Sequence, residues 1–357
     1  MVSLFNSFSK IRESYYHISI KPNELFDSDN GVHARQFIDE HFERGAKKGV
    51  FAINREFALE YSHRGKHYHT VSLYLLGLKM RRLFTDPIEN RLNELIDDMR
   101  WFDFEYSWYL TCLFHDVSSC IERNLEYAQL IDAVDSSSLF THKALKPDVN
   151  LLRFPKNLII NYLNYRFSAG RLEHSIIGGT MLFDKLNESF YEKTKGHDWE
   201  ASPVYREHNL KWRKEHLDHF ACIADAVCCH NLWTAQDGSS LCTTYKENGL
   251  DQLIISSPAD RLSIHNHPLH FMLCLLDTIE PVKRFGYLDA KTVLKNIFID
   301  IHKDTIILYW SPTIKQQPEI YHWLDSIRSL SEWMCVEVSP CEHHGEMCSI
   351  KLTLQRY

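Results

Sequence analysis

The run from Trp108 to Val117 is apolar and aromatic as far as residue 114, then sets an imidazole beside a carboxylate, His115 and Asp116. Burying either group among apolar neighbours is costly unless it is paired or bound to a metal. Adjacent helical residues point about 100° apart. The doublet can therefore serve one ion, or bridge two, only if other segments bring further ligands to the same place.

Four other segments offer them. His69 lies in an apolar stretch over 63–84, His174 in one over 171–183, His230 in one over 215–232 and Asp277 in one over 269–284. Apolar spacing reads each as a helix. With 21 histidines in the chain, any single one is read as a core residue. The ordered set His69, His115, Asp116, His174, His230 and Asp277 on separate helices is read as a ligand set. Imidazole and carboxylate together favour a transition metal (Mn, Fe, Zn, Co or Ni) over calcium. His63 and His67 compete with His69 for the first place. Asp225 precedes His230 by five residues, about 140° around the helix, which suits support of a ligand better than ligation. His265 and His267 suit a pocket mouth or a cap. The run Cys341-Glu-His343-His344 with Cys348 invites a zinc reading, but its spacing matches no standard finger.

The chain of 357 residues has room for one large domain or two ordinary ones. Its net charge of −7 argues against non-specific binding to nucleic acid or to a membrane surface. No apolar run reaches membrane-spanning length, and the first twenty residues carry no signal-peptide core. The ten cysteines are accordingly read as reduced, in a cytoplasmic protein.

Three regions are expected. Residues 1–60 form a helical extension, with a turn at 28–31 and an amphipathic helix over 34–44. Residues 61–286 form a helical body with helices over 63–84, 88–99 (opened by Pro87), 101–117, 121–133, 158–166, 171–183, 215–232 and 269–284, and a loop or lid over 190–212. Residues 287–357 form a small α+β subdomain docked on the body. Its strands fall over 293–301 and 305–310 about a turn at 302–304, then over 335–338 and 348–354, with a helix over 318–334. Gly178 and Gly179 interrupt a helix at about 1 kcal/mol each, which points to close approach of another helix.

The order of these residues resembles the HD-domain superfamily of metal-dependent phosphohydrolases. His69-Thr-Val-Ser-Leu-Tyr-Leu-Leu-Gly77 is similar to its first motif, and only His69 has that motif's spacing to the glycine. Leu113-Phe-His115-Asp116 resembles the doublet that names the family. Ala224-Asp-Ala-Val-Cys-Cys-His230-Asn231 and Pro268 to Asp277 resemble its later helices, and Glu173-His174-Ser-Ile-Ile-Gly-Gly the extra histidine of two-metal members. The resemblance covers roughly residues 60–285. It implies a mainly α, HD-type bundle with two divalent ions, one held by His69, His115 and Asp277, the other by His174 and His230, and Asp116 bridging them. It further implies a metal-activated water that attacks a phosphate ester of a nucleotide or small metabolite, with self-association left open. Many members continue the doublet as His-Asp-x-Gly-Lys, where this chain has Val117-Ser118-Ser119. A phosphate-facing cation is then sought at Lys66, Arg64 or Arg171, with Arg284 the lesser candidate because it can pair with Glu280 at i, i+4. Trp233 and the aromatics near 101–110 are candidates to stack on a substrate ring.

The same ligands would serve a di-iron oxygenase, a use that a few members make of the fold. A non-catalytic nucleotide- or protein-binding module and a metal-dependent nuclease are further rivals, and the acidic charge weighs against the nuclease.

Overall fold

The computed structural model describes residues 2–11, 25–26, 66–95, 104–119, 127–146, 150–195, 205–207 and 210–355. The helix over 34–44, the turn at 28–31, most of the 1–60 extension, His63 and Arg64 lie outside these residues, as do parts of the helices over 88–99, 101–117 and 121–133. The protein is mainly helical with a small antiparallel sheet towards the C-terminus, as its sequence pattern predicts. Among the described residues the helices are α1 (Leu4–Phe8), α2 (Lys66–Leu95), α3 (Phe104–Phe114), α4 (Tyr127–Asp135), α5 (Lys156–Ser168), α6 (His174–Thr194), α7 (Glu215–Cys229), α8 (Ser240–Glu247), α9 (Pro268–Ile279), α10 (Ala290–Asn296), α11 (Pro312–Lys315) and α12 (Glu319–Trp333). No described helix is long and apolar enough to cross a membrane. The nine cysteines among these residues are all free thiols.

The chain divides into two compact units, one of residues 1–40, 60–87 and 255–357, the other of 41–59 and 88–254. The first holds the sheet, whose strands are β1 (Ile297–His302), β2 (Thr305–Trp310), β3 (Val336–Val338), β4 (Glu342–His344) and β5 (Met347–Leu354). Its order is β1-β2-β5-β3, with β4 also on β5 and every pair antiparallel. β1 and β2 pair about the expected turn, where Lys303 takes a left-handed φ of 37°. Alternation sends Ile306, Leu308 and Trp310 inward. The buried stripe of α12 (Ile320, Trp323, Leu324, Ile327, Leu330) packs on β3 and α9, and Trp310 and Trp323 meet edge-to-face at 6.2 Å.

In the second unit α6 and α7 make the most extensive helix pair, and α3 packs on both. α3 buries nine of its eleven residues. α6 can lie this close because of its paired glycines. A Cβ on Gly178 would stand 2.7 Å from the Phe114 carbonyl oxygen, and one on Gly179 only 2.6 Å from the Ala224 oxygen and the Cys228 nitrogen.

Four local expectations are corrected. Pro87 opens no new helix; it lies inside the 30-residue α2. The ring removes one hydrogen bond of the ladder, and the Thr85 hydroxyl donates to the Arg81 carbonyl in that turn. Residues 293–296 belong to α10, whose cap is the Asp289 carboxylate accepting from the Thr292 amide, so β1 begins only at Ile297. α9 stops at Ile279 because Pro281 cannot continue it. Within the expected loop over 190–212, α6 runs on to Thr194 and Tyr205–Glu207 pairs with Leu210–Trp212.

Helix propensity alone predicts that Gly179→Ala stabilises the protein by about 1 kcal/mol. The facing backbone atoms cannot yield, so the expected outcome is a loss of about 1–3 kcal/mol or more in chemical denaturation. Gly286→Ala, whose Cβ would meet nothing within 4 Å, should change stability by less than about 0.5 kcal/mol.

Candidate metal centre

The second unit brings four of the six expected ligands together. α3 ends at Phe114, and His115 and Asp116 follow in the turn, with the His115 amide bonded back to the Thr111 carbonyl. His174 is the first residue of α6 and His230 the C-cap of α7. One ligand atom from each of Asp116, His174 and His230 lies within 4.8 Å of the others, a spacing that one ion can span. Each oxygen of Asp116 faces a different ring. Oδ1 is 3.2 Å from His174 Nε2 and Oδ2 is 3.7 Å from His115 Nε2. The His230 ring lies 5.6 Å from that of His115 and 5.5 Å from that of His174, edge-on to both.

The tautomers follow from the hydrogen bonds. His115 Nδ1 lies 2.8 Å from the Cys112 carbonyl and His230 Nδ1 2.7 Å from the Val227 carbonyl, three residues back in each case. A carbonyl only accepts, so both rings donate from Nδ1 and keep the Nε2 lone pair for a ligand. Burial of His115 is complete, while Asp116 has a side chain 13% exposed and His174 one 18% exposed. The group is thus sheltered on one side and reachable on the other.

Contacts outside the ligand set hold it in place. The Ser118 hydroxyl donates to the His174 carbonyl at 2.7 Å. Ser118 thereby ties the doublet's turn to the start of α6. The fully buried Glu173 accepts from the Asn231 amide at 2.6 Å and ion-pairs with Arg166 at 3.2 Å. Glu173 precedes one ligand and Asn231 follows another, so a single bond joins their two segments. The sequence pattern marked Glu173 and Asn231 only as parts of motifs, with no role, and missed Arg166; an acid and an amide each adjacent to a candidate ligand histidine were the available signal.

Arg171 is exposed, with its guanidinium 6.0 Å from the Trp233 ring, and Arg166 sits closer over the same ring at 4.4 Å. Trp233 itself is 48% exposed. Arg171 thus lies beside an accessible aromatic face, three residues before His174. Asp225, also buried, accepts from the Arg153 backbone amide at 3.0 Å and meets the Cys229 thiol. It contacts the neighbour of His230, as a support of the ligand helix would.

In the first unit His69 and Asp277 are brought together, with His69 Nε2 3.0 Å from Asp277 Oδ1. The other ring nitrogen, Nδ1, is 2.6 Å from Glu280 Oε2. Burial and the Lys283 charge push the His69 pKa down, but Glu280 and the hydrogen bonds to both carboxylates outweigh them and leave it raised. Burial pushes Glu280 up, and the His69 charge and hydrogen bond bring it below its ordinary value. The expected Arg284–Glu280 pair does not form. α9 has ended, so the two are not one helical turn apart; Glu280 turns to His69 and Lys283 pairs with Asp277. Lys66, at the start of α2, stands three residues before His69. His67 is buried against Tyr68, and among the described residues it is His69 that meets Asp277. His267 is the N-cap residue of α9 and makes no side-chain cap. The Cys341–Cys348 segment forms β4 and the start of β5, with His343 Nδ1 3.3 Å from Cys348 Sγ, and it is not among the described groupings that could hold an ion.

No family model matches the chain, and no curated protein or solved structure matches it either.

Replacing Asp116 by Asn should weaken Mn²⁺ or Zn²⁺ binding at least tenfold by calorimetry, and His230→Ala should do the same, while His265→Ala leaves it unchanged. Asp225 supplies a pH test. Burial raises its pKa from 3.8 to about 6, against the opposing Arg153 amide. The folded state therefore binds this proton more tightly than the unfolded state, and the stability gained is full below about pH 4 and lost as the pH rises through 6. Asp225→Asn should gain on the wild type by roughly 2–3 kcal/mol between pH 4 and pH 8 in urea denaturation.

Proposed function

We propose that the protein is a metal-dependent hydrolase of phosphate esters, acting on a nucleotide or a small phosphorylated metabolite. The observation that carries this reading is the convergence of Asp116, His174 and His230 with two rings locked in the ligating tautomer. A donor set of imidazoles and one carboxylate fits a transition metal. Such an ion, when bound, acidifies water and neutralises phosphoryl charge.

The chain's own residues supply the rest. Asp116 turns one oxygen towards each of His115 and His174, and with His174 and His230 would hold the ion. Arg171 provides a cation that has no acidic partner among the described residues and can take the phosphate in place of the absent lysine. Trp233, backed by Arg166, offers a face on which a planar ring can stack. The sequence resemblance assigns His69 and Asp277 to a second ion, shared with His115 and bridged by Asp116, and Lys66, three residues before His69, is a further candidate to face the phosphate.

The test is a panel of phosphomonoesters, phosphodiesters and nucleotides incubated with Mn²⁺-loaded protein, its metal content counted by elemental analysis. Product release that depends on the metal, and that falls at least a hundredfold in His174→Ala, is the expected result. Verified metal loading with no turnover anywhere on the panel would reject the hydrolase reading. A Trp233→Ala variant should raise KM for nucleotides more than for phenyl phosphate.

A further inference from the structure

A cavity of about 440 Å³ lies in the second unit, between the segment that follows α4 and the far halves of α6 and α7. Its lining includes Phe183, Phe190 and Tyr191 of α6 with Lys143 and Lys214. It shares two helices with the metal centre but sits at their other ends. Thirteen residues separate His174 from the lining residue Asn187, and thirteen separate Leu217 from His230, about 20 Å along each helix.

The chemistry of the walls is mixed in an informative way. Phe183 and Phe190 are buried and back the cavity from within, whereas Tyr191 is 56% exposed and Leu145 46% exposed, so the accessible apolar surface is theirs. The acids nearby are already engaged. Asp218, wholly buried, holds His142 Nε2 at 2.6 Å and accepts from the Leu145 amide. Asp184 accepts from both the amide and the hydroxyl of Ser138. Lys143 and Lys214 are exposed, and neither forms an ion pair among the described residues. Two unpaired cations beside the accessible Tyr191 ring and Leu145 suit a planar ring that carries a negative charge, and the volume is in the range of small-molecule sites.

We propose that this cavity is a second ligand site, separate from the metal centre, for a small organic anion with a planar ring. The ring lies on Tyr191 and Leu145, and the anionic group takes the charges of Lys143 and Lys214. The proposal does not depend on the hydrolase reading, because the site needs no metal.

Calorimetry with EDTA-treated full-length protein tests it, with adenosine monophosphate, phenyl phosphate, adenosine and inorganic phosphate as probes. The expected result is one adenosine monophosphate or phenyl phosphate per chain, with adenosine and inorganic phosphate at least tenfold weaker. The double variant Lys143→Gln/Lys214→Gln, which changes only exposed side chains, should lose at least tenfold in affinity, and the double variant His174→Ala/His230→Ala should keep it. Absence of binding by both ring-bearing anions at millimolar concentration would overturn the proposal. So would binding that survives the lysine replacements, or that disappears with the histidines, provided circular dichroism shows each variant folded.

Discussion

The closeness of α6 to its neighbours is the constraint from which the candidate metal centre follows. Gly178 lets the helix touch the end of α3, and Gly179 lets it touch α7. Those two neighbours carry the remaining ligands of the unit, His115 and Asp116 after α3 and His230 at the end of α7. His174 stands one turn before Gly178 on the same helix, so the contact that requires glycine also sets the distance from His174 to the others. A methyl group at either position pushes backbone against backbone, where no rotamer change relieves it. Two residues that weaken the helix thereby position three ligand-bearing segments.

Once the segments are close, the rings still have to face the right way. A carbonyl three residues back accepts from Nδ1 in both His115 and His230, and the two carbonyls belong to helix ends, where such groups are left without an intrahelical partner. The same bond satisfies the orphan carbonyl and chooses the tautomer. His69 uses the carboxylate of Glu280 instead, a stronger acceptor that makes its ring more basic. Ligand histidines at helix termini are therefore an economical arrangement, since each terminus has a spare acceptor and an exit for the side chain.

Much of this was legible in the sequence. Six ionisable residues in apolar segments stood out because burial without a partner is so costly, and the structure pairs or groups each of them. The glycines announced a close contact. The helix and strand periods located most elements, and the stripe of α12 buried as predicted. What escaped was the part that depends on where helices stop. The 269–284 pattern continues through Pro281, so Glu280 and Arg284 looked like neighbours on one face; the break hands Glu280 to His69 and Lys283 to Asp277. At Pro87 the error ran the other way, because a proline that usually marks a boundary lies inside a long helix. The roles of Glu173, Arg166 and Asn231 were missed for a different reason. Their contacts join segments 58 residues apart in the case of Glu173 and Asn231, and no local pattern encodes such a pairing.

That Glu173–Asn231 bond explains why a buried carboxylate is kept beside the site. Replacing a buried pair by apolar residues is often neutral or stabilising for a fold, so stability alone is a weak reason to retain Glu173. Its position supplies a better one. Glu173 holds Arg166, Arg166 lies over Trp233, and Asn231 of the same short stretch returns to Glu173. The Trp233 amide donates to the Tyr162 hydroxyl and its carbonyl accepts from Tyr245, which fixes the backbone that leaves His230. The network thus connects the segments of His174 and His230, two candidate metal ligands, to the exposed aromatic face of Trp233. One buried carboxylate joins the residue before His174, the residue after His230 and the guanidinium that lies over Trp233.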